Sequence, residues 1–168
     1  THLLVGSSLP LLLERSLHDL ERWDEALAAG AWGERGARLG ERLRQALDLE
    51  HWASFSASFD RMVQRLVEVA QGRLGAAPSS VLVLSGYVHH SYVAPLRLPD
   101  PDAPAMSPVV QVVSSPMRNA FPRRLQRAFG FAASAPARLV GRALVRSVRL
   151  PRPSVEWSTE QGPLFGNV

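Results

Sequence analysis

The sequence predicts an α/β domain, and three observations carry that prediction. Apolar runs of strand length occur at HLLVG, VLVL and VVQVV, and long stretches elsewhere repeat apolar residues every three or four positions. Clusters of Gly, Pro and Ser separate the two kinds of segment. Their order, a strand, long helices, three strands and further helices, is that of sheet and helix layers. At 168 residues and 46% hydrophobic content the chain is long enough to bury one core.

HLLVGSSLP reads as a buried strand emptying into a loop. Leu13, Leu17, Leu20, Trp23 and Leu27 then mark one apolar helix face, with Glu14, Asp19, Glu21 and Glu25 largely elsewhere. Gly30 is a reasonable stop. Leu39, Leu43 and Leu47, followed by Trp52, Phe55, Phe59, Met62, Leu66 and Val69 or Ala70, predict two helices or one bent one; Gly72, Gly75 and Pro78 end the stretch. Strands are expected at Val81 to Leu84, around Tyr92 to Leu98, and at Val109 to Val113, with a loop over PDPDAPAMSP. Asn119 can cap a helix with Phe121, Leu125 and Phe129 on its apolar face. Ser134 and Pro136 open another, with Leu139, Ala143 and Leu144 inward. The tail from Leu150 is rich in Pro and Gly, with a short strand at Val155 to Trp157. The chain thus divides into a helical segment 11–72, a sheet segment 79–116, basic helices 118–149 and a tail 150–168, all within one domain.

There are no cysteines, which excludes disulfides, thiolate metal sites and a cysteine nucleophile. No apolar run approaches the ~20 residues that span a bilayer, and no secretory leader is recognisable. A soluble, cytoplasmic chain is expected, and a start at Thr1 rather than methionine suggests a longer parent. Every basic residue is an arginine. Residues 1–72 hold 8 Arg against 11 Asp and Glu, whereas residues 73–168 hold 11 against 4.

Three stretches bear on chemistry. In VLVLSGYVHHSY, an apolar strand delivers two histidines to its carboxyl end, where α/β sheets tend to place functional groups. Continued strand alternation would put Ser85, Tyr87 and His89 on one side and Val88 and His90 on the other, so Tyr87 and His89 can share a metal site. The plainer reading is a strand end whose histidines bond nearby backbone. Arg138, Arg142, Arg146 and Arg149 form a stripe, with Arg123, Arg124 and Arg127 on the helix before it, and no acidic residue occurs from Arg118 to Arg152. A surface of that kind can hold phosphates, nucleic acid or an anionic membrane. Aromatic residues are not interleaved with it, which points away from nucleic acid; a solvated face, or one paired with the acidic first half, is the simpler account. Finally, SSPMRN precedes a helix, so Ser115, Arg118 and Asn119 are candidates for an anion site. His18 and His51 sit within helical patterns and are expected to pack or bond locally.

Taken in order, several segments resemble one family. VLVLSGYVHHSYVA is similar to the "SGDVH" metal-binding strand of alkaline phosphatase D-like (PhoD-like) metallophosphatases, in the calcineurin-like metallophosphoesterase superfamily. HLLVGSSLP, the stretch from LHDLERW to ASFSASF, VVQVVSSPMRN and GPLFGN resemble that family's actinobacterial branch. The resemblance implies the C-terminal half of a four-layer α/β/β/α sandwich with mixed sheets. It implies hydrolysis of phosphomonoesters or phosphodiesters at a two-metal centre of Fe, Zn, Mn or Ca, which binds the phosphate and generates the attacking hydroxide. His89 falls on the motif's histidine and inherits a metal-ligand role. Tyr87 falls on its aspartate, and at neutral pH a tyrosine normally keeps its proton. The family's other ligands belong to earlier strands, so the resemblance implies a missing N-terminal part as partner and an inactive fragment without it. DLEHWASF, Asp48 to Phe55, resembles a substrate-side stretch of related phosphatases but lacks its Gly-Tyr, and no catalytic role is given to it. Two alternatives stand beside this reading: a degenerate, non-catalytic module binding anionic partners through the arginine-rich half, and a half-domain that pairs with another chain.

Overall fold

The computed structural model describes residues 1–86, 88–100, 102–114 and 123–164, and for Leu125 the backbone alone. In chain order the elements are β1 (His2–Gly6), α1 (Arg15–Ala28), α2 (Gly33–Leu47), a 3-10 turn (Trp52–Ser54), α3 (Ser56–Ala70), β2 (Ser80–Ser85), β3 (Ser91–Arg97), β4 (Val109–Val113), α4 (Arg123–Ala132), α5 (Ala135–Ser147), β5 (Glu156–Trp157) and β6 (Glu160–Leu164). The result is an α/β protein with a mixed six-strand sheet packed against helices.

The strand order is β1-β2-β4-β3, with β5 and β6 both lying along the far edge of β3. β1, β2 and β4 are parallel, while β3 runs against β4 and against the two C-terminal strands. Pro95 lies within β3, although proline is rare inside a sheet. β5 pairs with Leu96 and Arg97 and β6 with Ser91 and Val93, so Pro95 sits opposite the break between them.

Alternation divides the sheet into two unlike faces. Val81, Val83, Val109, Val113, Tyr92, Ala94 and Leu96 point inward and are buried. α3 covers them with Phe59, Val63, Leu66 and Ala70, the i, i+4, i+7, i+11 face that its sequence presents. Each such large side chain contributes about 1.5–3 kcal/mol by leaving water. The other face carries Leu4, Leu82, Leu84, Val93, Val110 and Val112, none of which belongs to the described core. Leu4 is 61% exposed and Leu84 42%. The described residues therefore form two layers, a sheet and its helices, with one apolar sheet face bare.

Between β1 and α1 the chain dives beneath the sheet, so that Leu11, Leu12 and Leu13 are all buried. A buried loop needs partners for its backbone, and three side chains supply them. Gln111, on the inner face of β4, accepts at Oε1 from the Leu11 and Leu12 N–H groups (2.7 and 2.9 Å) and donates from Nε2 to Leu12 O (2.7 Å). The Tyr92 hydroxyl also donates to Leu12 O (2.7 Å), and Trp157 Nε1–H donates to Leu13 O (2.7 Å). Burial pushes the Tyr92 hydroxyl well above its ordinary range, which keeps it a donor.

α1 departs from the expected one-sided helix. Asp19, Glu21, Arg22 and Asp24 are buried along with Trp23 and Leu27, because α1 is the centre of the helical layer. α2 and α5 flank it, and both approach through small residues. Gly36 and Gly40 are the buried residues of α2, and Ala137 and Gly141 those of α5. A Cβ on Gly40 would meet Ala28 N at 2.9 Å, and one on Gly141 would meet Asp19 Cβ at 3.0 Å. These seams invert the expected faces: Leu39, Leu47 and Leu139 are exposed by 44%, 55% and 64%. Close helix approach selects for the absence of a side chain, which apolar periodicity does not register.

Several charges of α1 have partners, within the helix for Asp19 and on neighbouring elements for Glu21 and Glu25. Glu21 accepts from Ser54 Oγ (3.2 Å) and pairs with His51 Nδ1 (2.7 Å), and Arg15 Nε lies 3.2 Å from Asp19 Oδ1. Both oxygens of the Glu25 carboxylate accept from Ser56 N–H (3.0 and 3.1 Å), placing an anion on the positive N-terminus of α3. His18 packs between Phe59 and Trp157, with ring centroids 4.6 and 4.7 Å away. His18 packs and His51 bonds, as expected, but with residues 30 or more positions away in the chain, and His51 lies between helices rather than within one.

Candidate functional site

Parallel pairing brings the carboxyl ends of β1, β2 and β4 to one edge of the sheet. The ladders run one step beyond the strands: Ser7 N donates to Leu84 O and Ser114 N to Ser85 O, both at 2.9 Å. The β2–β3 turn, which carries the two histidines, rises from this edge. In open α/β sheets the crevice at such carboxyl ends is where ligands bind.

The turn is not an extension of the strand. β2 ends at Ser85, Val88 N bonds back to Gly86 O (3.0 Å), and His89 adopts a left-handed backbone with φ 56°. Alternation therefore stops before the histidines, and a tight turn decides their directions. His89 is exposed at the edge. His90 is turned inward and 1% exposed; its ring stacks on Tyr92 (centroids 5.3 Å apart, 27° between planes) and lies 5.0 Å from Phe129 of α4.

The His90 Nδ1 atom is 2.7 Å from Val88 O. A carbonyl oxygen only accepts, so Nδ1 carries the proton and the neutral ring keeps its lone pair at Nε2. That is the tautomer in which imidazoles act as ligands or bases, with a backbone carbonyl fixing the ring. Burial lowers the pKa of His90, the Val88 carbonyl works against that, and His89 and His51 add to the lowering. Sequence alternation set His90 aside; its signal is the Val88-x-His90 spacing, which a tight turn converts into a carbonyl bond two residues back.

Tyr87, Ser115, Arg118 and Asn119 lie outside the described residues, as does Phe121. Among the described residues no three His, Asp or Glu side chains gather to hold a metal. The donors present thus do not by themselves fit the expected two-metal centre. The stretch Asp48 to Phe55 has structural work: Asp48 ends α2 in a left-handed conformation, His51 pairs with Glu21, and Trp52 Nε1 reaches Ser7 Oγ at 3.4 Å.

The arginine stripe proves to be only partly a counterweight to the acidic first half. α5 lies along α1, and Arg138 and Arg142 lower the pKa values of Glu14 and Asp19, which burial pushes up more strongly. Arg146 has no ion pair among the described residues, and Arg149 lies past the end of α5 with φ 58°. Among the described residues no helix is long and apolar enough to cross a membrane.

Comparison with protein-family models, with curated proteins and with solved structures finds no match. The functional reading therefore rests on the residues and their geometry.

Proposed function

We propose that this chain is the C-terminal portion of a metal-dependent phosphoesterase acting in the cytoplasm on phosphomonoesters or phosphodiesters. His89 supplies one ligand to a centre of Fe, Zn, Mn or Ca, and sequence outside the chain supplies the others. The observation that carries this reading is the placement of the SGYVHH turn, which presents His89 at the shared carboxyl edge of β1, β2 and β4. The bare sheet face supports it. Sheets built from parallel strands are ordinarily covered on both sides, and a face bearing Leu4, Leu82, Leu84, Val110 and Val112 suits the second sheet of an α/β/β/α sandwich. Taken alone, the chain is inactive, since a single histidine does not assemble a metal centre.

The test is hydrolysis of p-nitrophenyl phosphate and bis(p-nitrophenyl) phosphate by the longer protein containing this chain, purified and supplied in turn with zinc, manganese, iron and calcium. Activity is expected with at least one metal, and His89→Ala should lower it about 100-fold or more with the fold retained. Absence of hydrolysis with every metal, or full activity in His89→Ala, overturns the reading.

A further inference from the structure

A cavity of about 310 Å³ opens between α1, α5 and the segment that follows α5. Its walls bring together Arg15 and Arg22 from α1, Arg142 and Arg146 from α5, and Arg152 from the tail. Against these five arginines stand two carboxylates, Asp19 and Glu156, a formal surplus of three positive charges. Three separate elements thus converge on one concave space with the same sign of charge, and the fold keeps them there.

Neighbouring acids account for only part of this arrangement: Asp19 faces Arg15, Arg22 and Arg142, and Asp60 and Glu25 also act on Arg22. Asp19 is fully buried and already engaged by Arg15 Nε at 3.2 Å. Among the described residues Arg142, Arg146 and Arg152 make no ion pair within 4.0 Å, although five pairs form outside the cavity. Arg22 is 5% exposed; its Nη2 donates to Pro151 O at 3.0 Å, while its buried Nη1 has no hydrogen-bond partner. A buried guanidinium with an unused donor is costly unless something accepts from it. Arg22 is the buried arginine of the lining, Arg142 and Arg146 are exposed, and Val145, Leu150 and Pro153 add apolar wall.

We propose that this cavity binds a small phosphate monoester. Guanidinium forks match phosphate oxygens in pairs and keep their charge at every accessible pH, and the surplus of three suits a dianion. The volume is at the lower end for small-molecule sites, about 300–1,000 Å³, and the apolar wall takes the organic part. A polynucleotide fits less well, because the space is small and no aromatic ring lines it. The site is distinct from the candidate metal edge. β3 starts next to His90 and ends at Arg97, which pairs with Glu156 of the cavity wall; its seven residues separate the two regions by about 20 Å. Ligand binding here consequently requires no metal.

Isothermal titration of this chain with inorganic phosphate and, separately, with glycerol 3-phosphate tests the proposal in metal-free buffer. Saturable one-to-one binding is expected, tighter for the monoester, and weakened about tenfold or more by the double substitution Arg142→Gln and Arg146→Gln. Both side chains are exposed, so the variant keeps its fold, which circular dichroism verifies. The control Arg35→Gln and Arg42→Gln removes the same charge from α2 and should leave binding unchanged. Absence of saturable binding, or an equal loss in the control, overturns the site. Equal affinity for phosphate and monoester overturns the assignment of the organic part.

Discussion

Replacing Gln111 by leucine should be among the most damaging single changes to stability in this chain, even though it inserts an apolar residue into an apolar core. Gln111 is 1% exposed and makes four hydrogen bonds, three to the buried loop at the Leu11 and Leu12 N–H groups and Leu12 O, and one to the Tyr92 hydroxyl of β3. Leucine leaves both N–H groups buried without an acceptor, at about 1–3 kcal/mol each. Leu12 O retains the Tyr92 hydroxyl at 2.7 Å, so it adds little. The expected loss is about 2–6 kcal/mol, a large part of the ~5–15 kcal/mol that typically holds a domain together. Tyr92→Phe gives an internal comparison: it removes the hydroxyl's bond to Leu12 O and the longer one it accepts from Gln111 Nε2 (3.3 Å), while Gln111 Nε2 still serves Leu12 O, for a loss of about 0.5–1.5 kcal/mol. Urea unfolding of the chain and both variants measures this, with equal slopes required for the comparison. If Gln111→Leu falls within about 0.5 kcal/mol of the parent chain, or costs less than Tyr92→Phe, the loop does not depend on the side-chain clamp.

Two further outcomes follow from the helical layer. Gly40→Ala should lower stability by about 1–2 kcal/mol despite alanine's better helix propensity, because its Cβ would meet the Ala28 backbone at 2.9 Å. Gly130→Ala on α4, where a Cβ meets nothing within 4 Å, should gain up to about 1 kcal/mol in the same urea assay, and identical responses would refute the seam. His18 gives a pH signature. Burial, with Arg15 and Arg22 nearby, holds its pKa well below the ordinary imidazole value. The unfolded chain takes up a proton near pH ~6.5 that the folded chain refuses, so this stability is present above that pH and lost as pH falls through it, by up to about 1.4 kcal/mol per unit. The raised pKa values of Glu14, Asp19 and Asp24 act in the opposite sense, their contribution fading as pH rises through the folded values. His18→Leu, which also removes two buried ring nitrogens lacking partners, should flatten the loss between about pH 7 and about pH 5. An unchanged pH profile of urea midpoints would show that His18 is not its source.

Much of the sheet was legible because strand identity is local. VLVL and VVQVV are apolar and β-branched, and β4 falls at Val109–Val113 as expected. β6 was not legible, since EQGPL has neither alternation nor β-propensity and forms only because β3 offers an edge. Ser134 does cap α5, its Oγ accepting from Ala137 N at 3.4 Å, whereas the apolar faces of α2 and α5 came out reversed. The same limit appears at the candidate site. Strand alternation paired Tyr87 with His89, but the strand ends at Ser85, and the left-handed turn at His89 exposes that residue and buries His90.

By itself the sequence determined the α/β class, the main strands, the absence of thiol chemistry and the concentration of arginine in the second half. Those follow from composition and from periodicities that each segment carries within itself. Only the tertiary structure decided that α1 is a central helix with buried charges, that among the described residues one sheet face lies outside the core, and that arginines of α1 and of the α5 region, 120 or more positions apart in the chain, line one cavity. These depend on which elements become neighbours, and neighbours are set by packing across the whole chain rather than by any residue's local pattern.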